Sequence, residues 1–198
     1  IVTDPLNLYD DSLGIYVKGV NGRTGNGQST PCNWNMDWDR PVNVEYLTVD
    51  GEMAINQEAN MEMCGGWSRA WTPHSFKIKA NKIYEGENFL PYQVFPNKAY
   101  LKHKTWQIRN GGNDTGSRIK DAALQTIVHT SGLEVDGQEC QPVVHFINGK
   151  YIGVLNIREP NNKHFVEANY ALGDDEIDQF EMSPDSGYVQ KCGTDESF

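Results

Sequence analysis

The chain has 198 residues, 38% of them hydrophobic and 22% charged, and its 17 Lys and Arg against 27 Asp and Glu give a net charge of −10. A chain of this length buries about 70% of the surface it exposes when unfolded, enough for one domain, and it has no apolar run of about 18 residues that would span a membrane. The acidity argues against a nucleic-acid partner, because no basic stripe offsets it. There is no initiator Met, basic n-region or apolar h-region, so any signal peptide is expected to have been removed. Charge is unevenly spread. Asp174, Asp175, Glu176, Asp178 and Glu181 make the tail acidic, while Lys77, Lys79, Lys82, Lys98, Lys102 and Lys104 form a basic stretch that would suit an anionic small molecule or simply a solvated surface.

In chain order, Gly14–Val20 alternates like a short strand and runs into the glycine- and asparagine-rich Asn21–Gly27, read as a flexible turn. Pro41–Tyr46 alternates with period two, and Asp50-Gly51 is a hairpin-type turn. Strands are expected around Asn60–Cys64 and over Ser75–Lys79, where Phe76 and Ile78 share one face and Lys77 and Lys79 the other. Trp106–Asn110 is a further strand, ended by Gly111-Gly112. The period then changes, and Ser117–Ser131 reads as a helix. Its apolar stripe (Ile119, Ala123, Leu124, Ile127, Val128) is expected to pack on the sheet. Its polar stripe (Arg118, Asp121, Gln125, His129) is either solvated or turned toward a site. Asn148-Gly149 joins two strands, Val143–Ile147 and Tyr151–Ile157, as a hairpin. Asn162 can cap a helix over Lys163–Tyr170, and the acidic stretch from Asp174 to Glu181 reads as one more helix. The expected fold is α+β: a mainly antiparallel sheet with one principal helix.

Several chemistries lack their signatures. No HExxH or GxSxG motif is present, and four cysteines without a CxxC spacing argue against structural zinc. If the chain is exported, Cys32–Cys64 and Cys140–Cys192 are the disulfides considered, against four reduced thiols. Trp34, Trp38, Trp67 and Trp71 fall in one stretch and would form either a sugar-stacking platform or core filling. The most informative constellation begins with the glycine turn Gly65-Gly66-Trp67-Ser68-Arg69, followed by a strand with Lys77 and Lys79. A helix with Asp121 comes next, then two strands ending at Arg158-Glu159. That is the element order of a kinase N-terminal lobe, where a strand cation neutralises phosphate oxygens and a helix carboxylate holds the cation. The G-x-G-x-x-G and V-A-I-K signatures are absent.

A resemblance sharpens this reading. Asn33–Tyr46, Cys64–Arg69, His74–Lys79, the run Arg109-Asn110-Gly111-Gly112-Asn113-Asp114, and the hairpin Pro142–Glu159 with its N-G-x-Y-x-G-x-x-N-x-R-E pattern resemble the CotH family of spore-coat kinase-like proteins. The matches run in order from Asn33 to Glu181. The resemblance implies a kinase-like domain over 31–181, after a loop-and-strand segment at 1–30 and before a tail at 182–198. It implies secretion or a place on the cell surface or spore coat. It also implies ATP with magnesium as cofactors and serines of an exported protein as substrate. With the constellation above, the residues put forward for nucleotide binding are Arg69, Lys77, Lys79, Asp121 and Glu159. Catalytic residues and metal ligands stay unassigned, because the family's metal-holding acids lie in a segment after the N-x-R-E strand that these 198 residues do not include. His74 also stands where relatives often carry Lys. The chain alone is therefore expected to bind ATP weakly and not to turn it over. The alternative is a non-catalytic surface or adhesion module that binds glycans through its tryptophans.

Overall fold

Alternating side chains put apolar groups on the core face of a six-stranded antiparallel sheet; the opposite face is polar over the central strands and carries exposed Val144, Phe146 and Val154 on the sheet's last hairpin. The computed structural model describes residues 1–114, 116–183 and 187–195, and the chain divides into two compact units, Ile1–Glu159 and Pro160–Phe198. The first unit contains α1 (Pro5–Tyr9), β1 (Arg23–Gly25), β2 (Gln28–Cys32), β3 (Arg40–Leu47), β4 (Met53–Met63), β5 (Phe76–Lys79), β6 (Leu90–Pro91), β7 (Lys102–His103), β8 (Thr105–Arg109), α2 (Lys120–Thr130), β9 (Cys140–Ile147) and β10 (Lys150–Arg158). The sheet order is β3-β4-β5-β8-β10-β9, with every neighbour antiparallel. Pro41 is tolerated in β3 because that strand lies at the sheet edge. The β9–β10 turn uses Asn148 and Gly149, both at positive φ (49° and 75°), the two-residue geometry that matches strand twist.

The core face carries Val42 and Val44 from β3, Ala59, Met61 and Met63 from β4, Phe76 and Ile78 from β5, Trp106 and Ile108 from β8, and Leu155 and Ile157 from β10. What covers this face is the chain on either side of the early strands. Leu8 and Ile15 come from the N-terminal segment, and Leu90, Val94 and Phe95 from the long connection between β5 and β8, all fully or nearly fully buried. Of the two helices of this unit, the short α1 gives Leu8 to the core cluster and α2 has no buried residue.

Four sequence expectations are corrected here. The first is the principal helix, which runs Lys120–Thr130 with its apolar stripe outward. Ile119, Leu124 and Ile127 are 61%, 54% and 61% exposed, and the helix has no buried residue. The sheet face beside it is polar, so an apolar stripe finds no apolar partner there. The helix instead docks through its polar stripe, with Asp121 against Arg158, Gln125 Oε1 accepting from Gln138 N at 3.2 Å and His129 facing Glu139 at 3.4 Å. The second correction is in the N-terminal region. Gly14–Val20 forms bends, and the glycine-rich stretch after it forms the β1–β2 hairpin around Asn26-Gly27, where Asn26 and Gly27 both have positive φ.

The third correction concerns the cysteines, which are free. Cys32 Sγ donates to Thr30 O, and Cys64 Sγ accepts from Gln107 Nε2. The fourth concerns the acidic stretch, which is a short 3-10 turn at Asp174–Glu176 followed by a strand.

In the second unit, α3 (Lys163–Tyr170) begins at Asn162, whose Oδ1 accepts from His164 N and Phe165 N. It ends at Ala171 in the left-handed region. The strand β11 (Gln179–Ser183) pairs antiparallel with β12 (Gly187–Cys192), so the expected tail is largely a hairpin. Residues 184–186 and 196–198 of that tail lie outside the described residues. Among the described residues no helix is long and apolar enough to cross a membrane.

Candidate phosphate-facing site

The outer face of the central strands is built by parity. On β8 the apolar Trp106 and Ile108 point to the core, so Gln107 and Arg109 point outward. Register places Lys77 beside Gln107, Gln107 beside Arg158, and Arg109 beside Asn156, while Glu62 lies opposite Lys77. The face is therefore a patch of cations with a few carboxylates, inside a chain whose net charge is strongly negative. Asp121 comes down on it from α2: its Oδ2 lies 2.5 Å from Arg158 Nη1 and 3.9 Å from Arg109 Nη1. Asn156 ties the start of the helix to the strand by donating Nδ2–H to Arg118 O at 2.8 Å.

Of the five residues put forward from the sequence, Lys77 and Lys79 do share this outer face. Lys79 Nζ is 2.6 Å from Glu62 Oε2 and 2.5 Å from Asp39 Oδ1, whereas Lys77 Nζ reaches only Glu62, at 3.9 Å. Burial acts to lower the Lys79 pKa, but hydrogen bonds and charge from Asp39 and Glu62 outweigh it, and the net shift is upward. Asp121 is on the same face but corrects the expected pairing: it holds arginines of β8 and β10 and not a β5 lysine.

Arg69 is a tie. Its guanidinium donates to Gly65 O at 2.6 Å and Trp34 O at 3.1 Å, closing the glycine turn, and stands 3.4 Å from Asp37. The turn's Gly65 sits at φ +98°, and a Cβ there would meet Ser68 Oγ at 2.7 Å. Glu159 does not face the site. It is 3% exposed, and its Oε2 accepts from Lys98 Nζ at 2.7 Å and Glu139 N at 2.9 Å, locking the end of β10.

The thiol of Cys64 reports how close the cations are. Burial pushes its pKa up, while the Gln107 hydrogen bond and the charges of Lys77, Arg69 and Arg109 pull it down. The charges of three cations, from the glycine turn, β5 and β8, thus all act on one buried sulfur.

Sequence reasoning includes Arg109, Asn110 and Arg158 in the motifs of the resemblance but does not put them forward as site residues; for Arg158 and Glu159 it also allows a structural role at the sheet edge. Strand parity would have placed Arg109 with Lys77, because it alternates with Trp106 and Ile108. Asn110 is 4% exposed and joins two loops. Its Nδ2 donates to Pro73 O at 2.8 Å, with Ser68 O and Trp71 O at 3.3 and 3.4 Å, and its Oδ1 accepts from Gly112 N. The Arg109–Asp114 run is thereby fastened to the glycine turn. Asp114 then organises the start of α2, accepting from Ser117 Oγ and Lys120 N, and these hydrogen bonds hold its pKa below the usual carboxylate value.

The tryptophans do not make one platform. Trp34 and Trp38 pack against the core, Arg40 stacks over Trp38 at 4.8 Å, and Trp67 is 65% exposed beside Gly27. Among the described residues no three His, Cys, Asp or Glu side chains gather as a metal-holding group. The outer face does suit a polyanion: Lys77 and Arg109 present ammonium and guanidinium groups there, the buried Arg158 lies against Asp121, and Glu62 stands beside Lys77.

Comparison with curated proteins returned no match. A family model described as CotH kinase protein matches residues 61–197. The match takes in the glycine turn, β5, β8, α2 and the β9–β10 hairpin, and leaves the Asn33–Tyr46 segment outside. It covers well over half of the 198 residues, and the chain belongs to this kinase-like family.

Proposed function

We propose that the chain supplies the nucleotide-side sheet of an exported, ATP-dependent protein kinase that phosphorylates serines of exported proteins. The observation that carries the reading is Asp121 on a helix lying against Arg109 and Arg158 on β8 and β10, adjacent strands of the sheet. A strand cation fixed by a helix carboxylate is the device by which kinase-like folds hold phosphate oxygens in place. Lys77 extends the cationic face on the neighbouring strand, and Lys79 is steadied by Asp39 and Glu62. Arg69 and Asn110 act one step away, setting the glycine turn beside that face. Glu159 supports the strand end from within the protein. A divalent metal bound with ATP would neutralise further phosphate charge, and the described residues contribute cations to the same task. Secretion or a cell-surface or spore-coat location belongs to this proposal as well.

Calorimetric titration with ATP and magnesium tests it, using the wild-type chain, Lys79→Ala and Arg109→Ala. Weak binding that falls in both variants is the expected result. Binding that is undisturbed by either substitution removes the outer face from the nucleotide site. Transfer of label from γ-labelled ATP to serine in an exported protein, by the parent protein, tests the activity itself.

A further inference from the structure

Arg158 is the least satisfied polar group on the outer face. Its side chain is 3% exposed, yet Nε and Nη1 have no hydrogen-bond partner among the described residues. Asp121 Oδ2 stands 2.5 Å from Nη1, but the contact is an ion pair that does not lie along an N–H direction. A guanidinium carries five donors in a planar fork that matches two oxygens of one anion. Burying it with donors unused is costly unless an acceptor arrives.

Asp121 is poorly locked in its place. Its side chain is 47% exposed, and it rides on a helix with no buried residue and an outward apolar stripe. Polar contacts, and not apolar packing, hold α2 on the sheet: Asn156 Nδ2 donates to Arg118 O, Gln138 N donates to Gln125 Oε1, and His129 faces Glu139. Arg109 already faces the same carboxylate from 3.9 Å, and the Arg118 guanidinium lies against Gly153, where an added Cβ would stand 3.3 Å from its Nη1. Two guanidinium groups thus meet at Asp121, the only described acid within ion-pair distance of Arg109 and Arg158.

We propose that Arg158 and Arg109 form a phosphate-binding fork and that Asp121 is a displaceable internal anion occupying it. The proposal rests on the nucleotide reading of this face and refines it: Asp121 keeps the arginines placed while the site is empty and yields Arg158 when a phosphate arrives. Arrival of a phosphate-type anion moves Asp121 off the Arg158 guanidinium and fills its unused donors. The site is then self-guarded: the carboxylate keeps the buried cation compensated when no ligand is bound, and it sets a threshold for weak anions.

Inorganic pyrophosphate is the probe, because it carries the phosphate chemistry without the nucleoside. Titration into wild-type chain, Asp121→Asn and Arg158→Lys separates the two roles. Asp121→Asn removes the competing charge and is expected to tighten pyrophosphate binding about tenfold. Arg158→Lys keeps the charge but loses the fork and is expected to weaken binding about tenfold. Unchanged or weaker binding in Asp121→Asn refutes the displaced anion, and unchanged binding in Arg158→Lys refutes the fork.

If either variant fails to fold, the wild-type chain decides the matter. The NMR resonance of Arg158 Nε–H must shift on pyrophosphate addition, and a resonance that does not move overturns the proposal. Magnesium–ATP binding that falls in Lys79→Ala and Arg109→Ala but is equal in wild type, Arg158→Lys and Asp121→Asn leaves the nucleotide reading standing on Lys79 and Arg109 and removes the fork alone.

Discussion

Replacing Glu159 by Gln separates a structural lock from a ligand-facing residue. The carboxylate is 3% exposed and its Oε2 accepts from both Lys98 Nζ and the Glu139 amide. The substituted carboxamide keeps the shape and one acceptor oxygen, but it removes the charge opposite an ammonium that is itself only 15% exposed. Breaking a buried ion pair from one side costs about 3–5 kcal/mol, and the retained acceptor brings the expected loss to about 2–4 kcal/mol. For a chain of this size that is a fall in Tm of roughly 6–12 °C.

All five tryptophans lie in the Ile1–Glu159 unit, so their fluorescence during urea unfolding reports on that unit alone. The midpoint should fall with the slope unchanged. The double variant with Lys98→Gln should lose less than the sum of the single losses, with a coupling of about 1 kcal/mol or more. A loss below about 0.5 kcal/mol refutes the buried lock. A selective loss of ATP binding at full stability would return Glu159 to the ligand site.

Three further outcomes follow from the packing. Ile127→Asp, on the outward stripe of α2, should change stability by no more than about 0.5 kcal/mol in the same urea assay, whereas a helix packed stripe-down would lose several times that. Asn110→Ala removes the side chain that binds the Gly112 amide and the Pro73 carbonyl, and should cost about 2–4 kcal/mol while speeding proteolysis in the 65–75 loop. His145 is 7% exposed, and burial, helped by the Ile1 ammonium, pushes its pKa down to about 4 from the ordinary 6.5. Below pH 6.5 the unfolded chain takes up a proton that the folded chain refuses, so stability falls with pH through the window from 6.5 to 4, by about 2 kcal/mol at pH 5. His74 and His103 are shifted in the same direction by burial. The pH dependence of His145→Gln should be shallower than that of the wild-type chain by this amount, and parallel profiles would contradict the neutral, buried imidazole.

Strand alternation made much of the sheet legible. Phe76 and Ile78 against Lys77 and Lys79, the Asn148-Gly149 turn and the Asn162 cap each follow from local chemistry and each appear where the sequence puts them. The helix Lys120–Thr130 was legible as a helix but not in its orientation. Periodicity tells which side chains share a stripe, and only the neighbouring surface decides which stripe turns inward. Here that surface is polar because Gln107, Arg109, Asn156 and Arg158 share one parity across two strands, a pairing visible only in the register. The acidic stretch from Asp174 failed for a related reason: charge spacing resembles a helix face, but the hairpin partner that makes Gln179–Ser183 a strand comes from Gly187–Cys192. In the site, the lysines of β5 stood out by composition. Arg109 and Arg158 sit singly in apolar runs, and what distinguishes them is a helix carboxylate that arrives from another element.

Lysine labelling by an acyl-phosphate derivative of ATP decides whether the outer face receives the nucleotide, since the reagent acylates an amine only where the nucleotide's phosphates come to rest. Preferential modification of Lys77 and Lys79, suppressed by excess ATP and reduced by Arg109→Ala, is the expected result. Labelling spread evenly over the surface lysines Lys18, Lys82, Lys102 and Lys150, without protection by ATP, would contradict it.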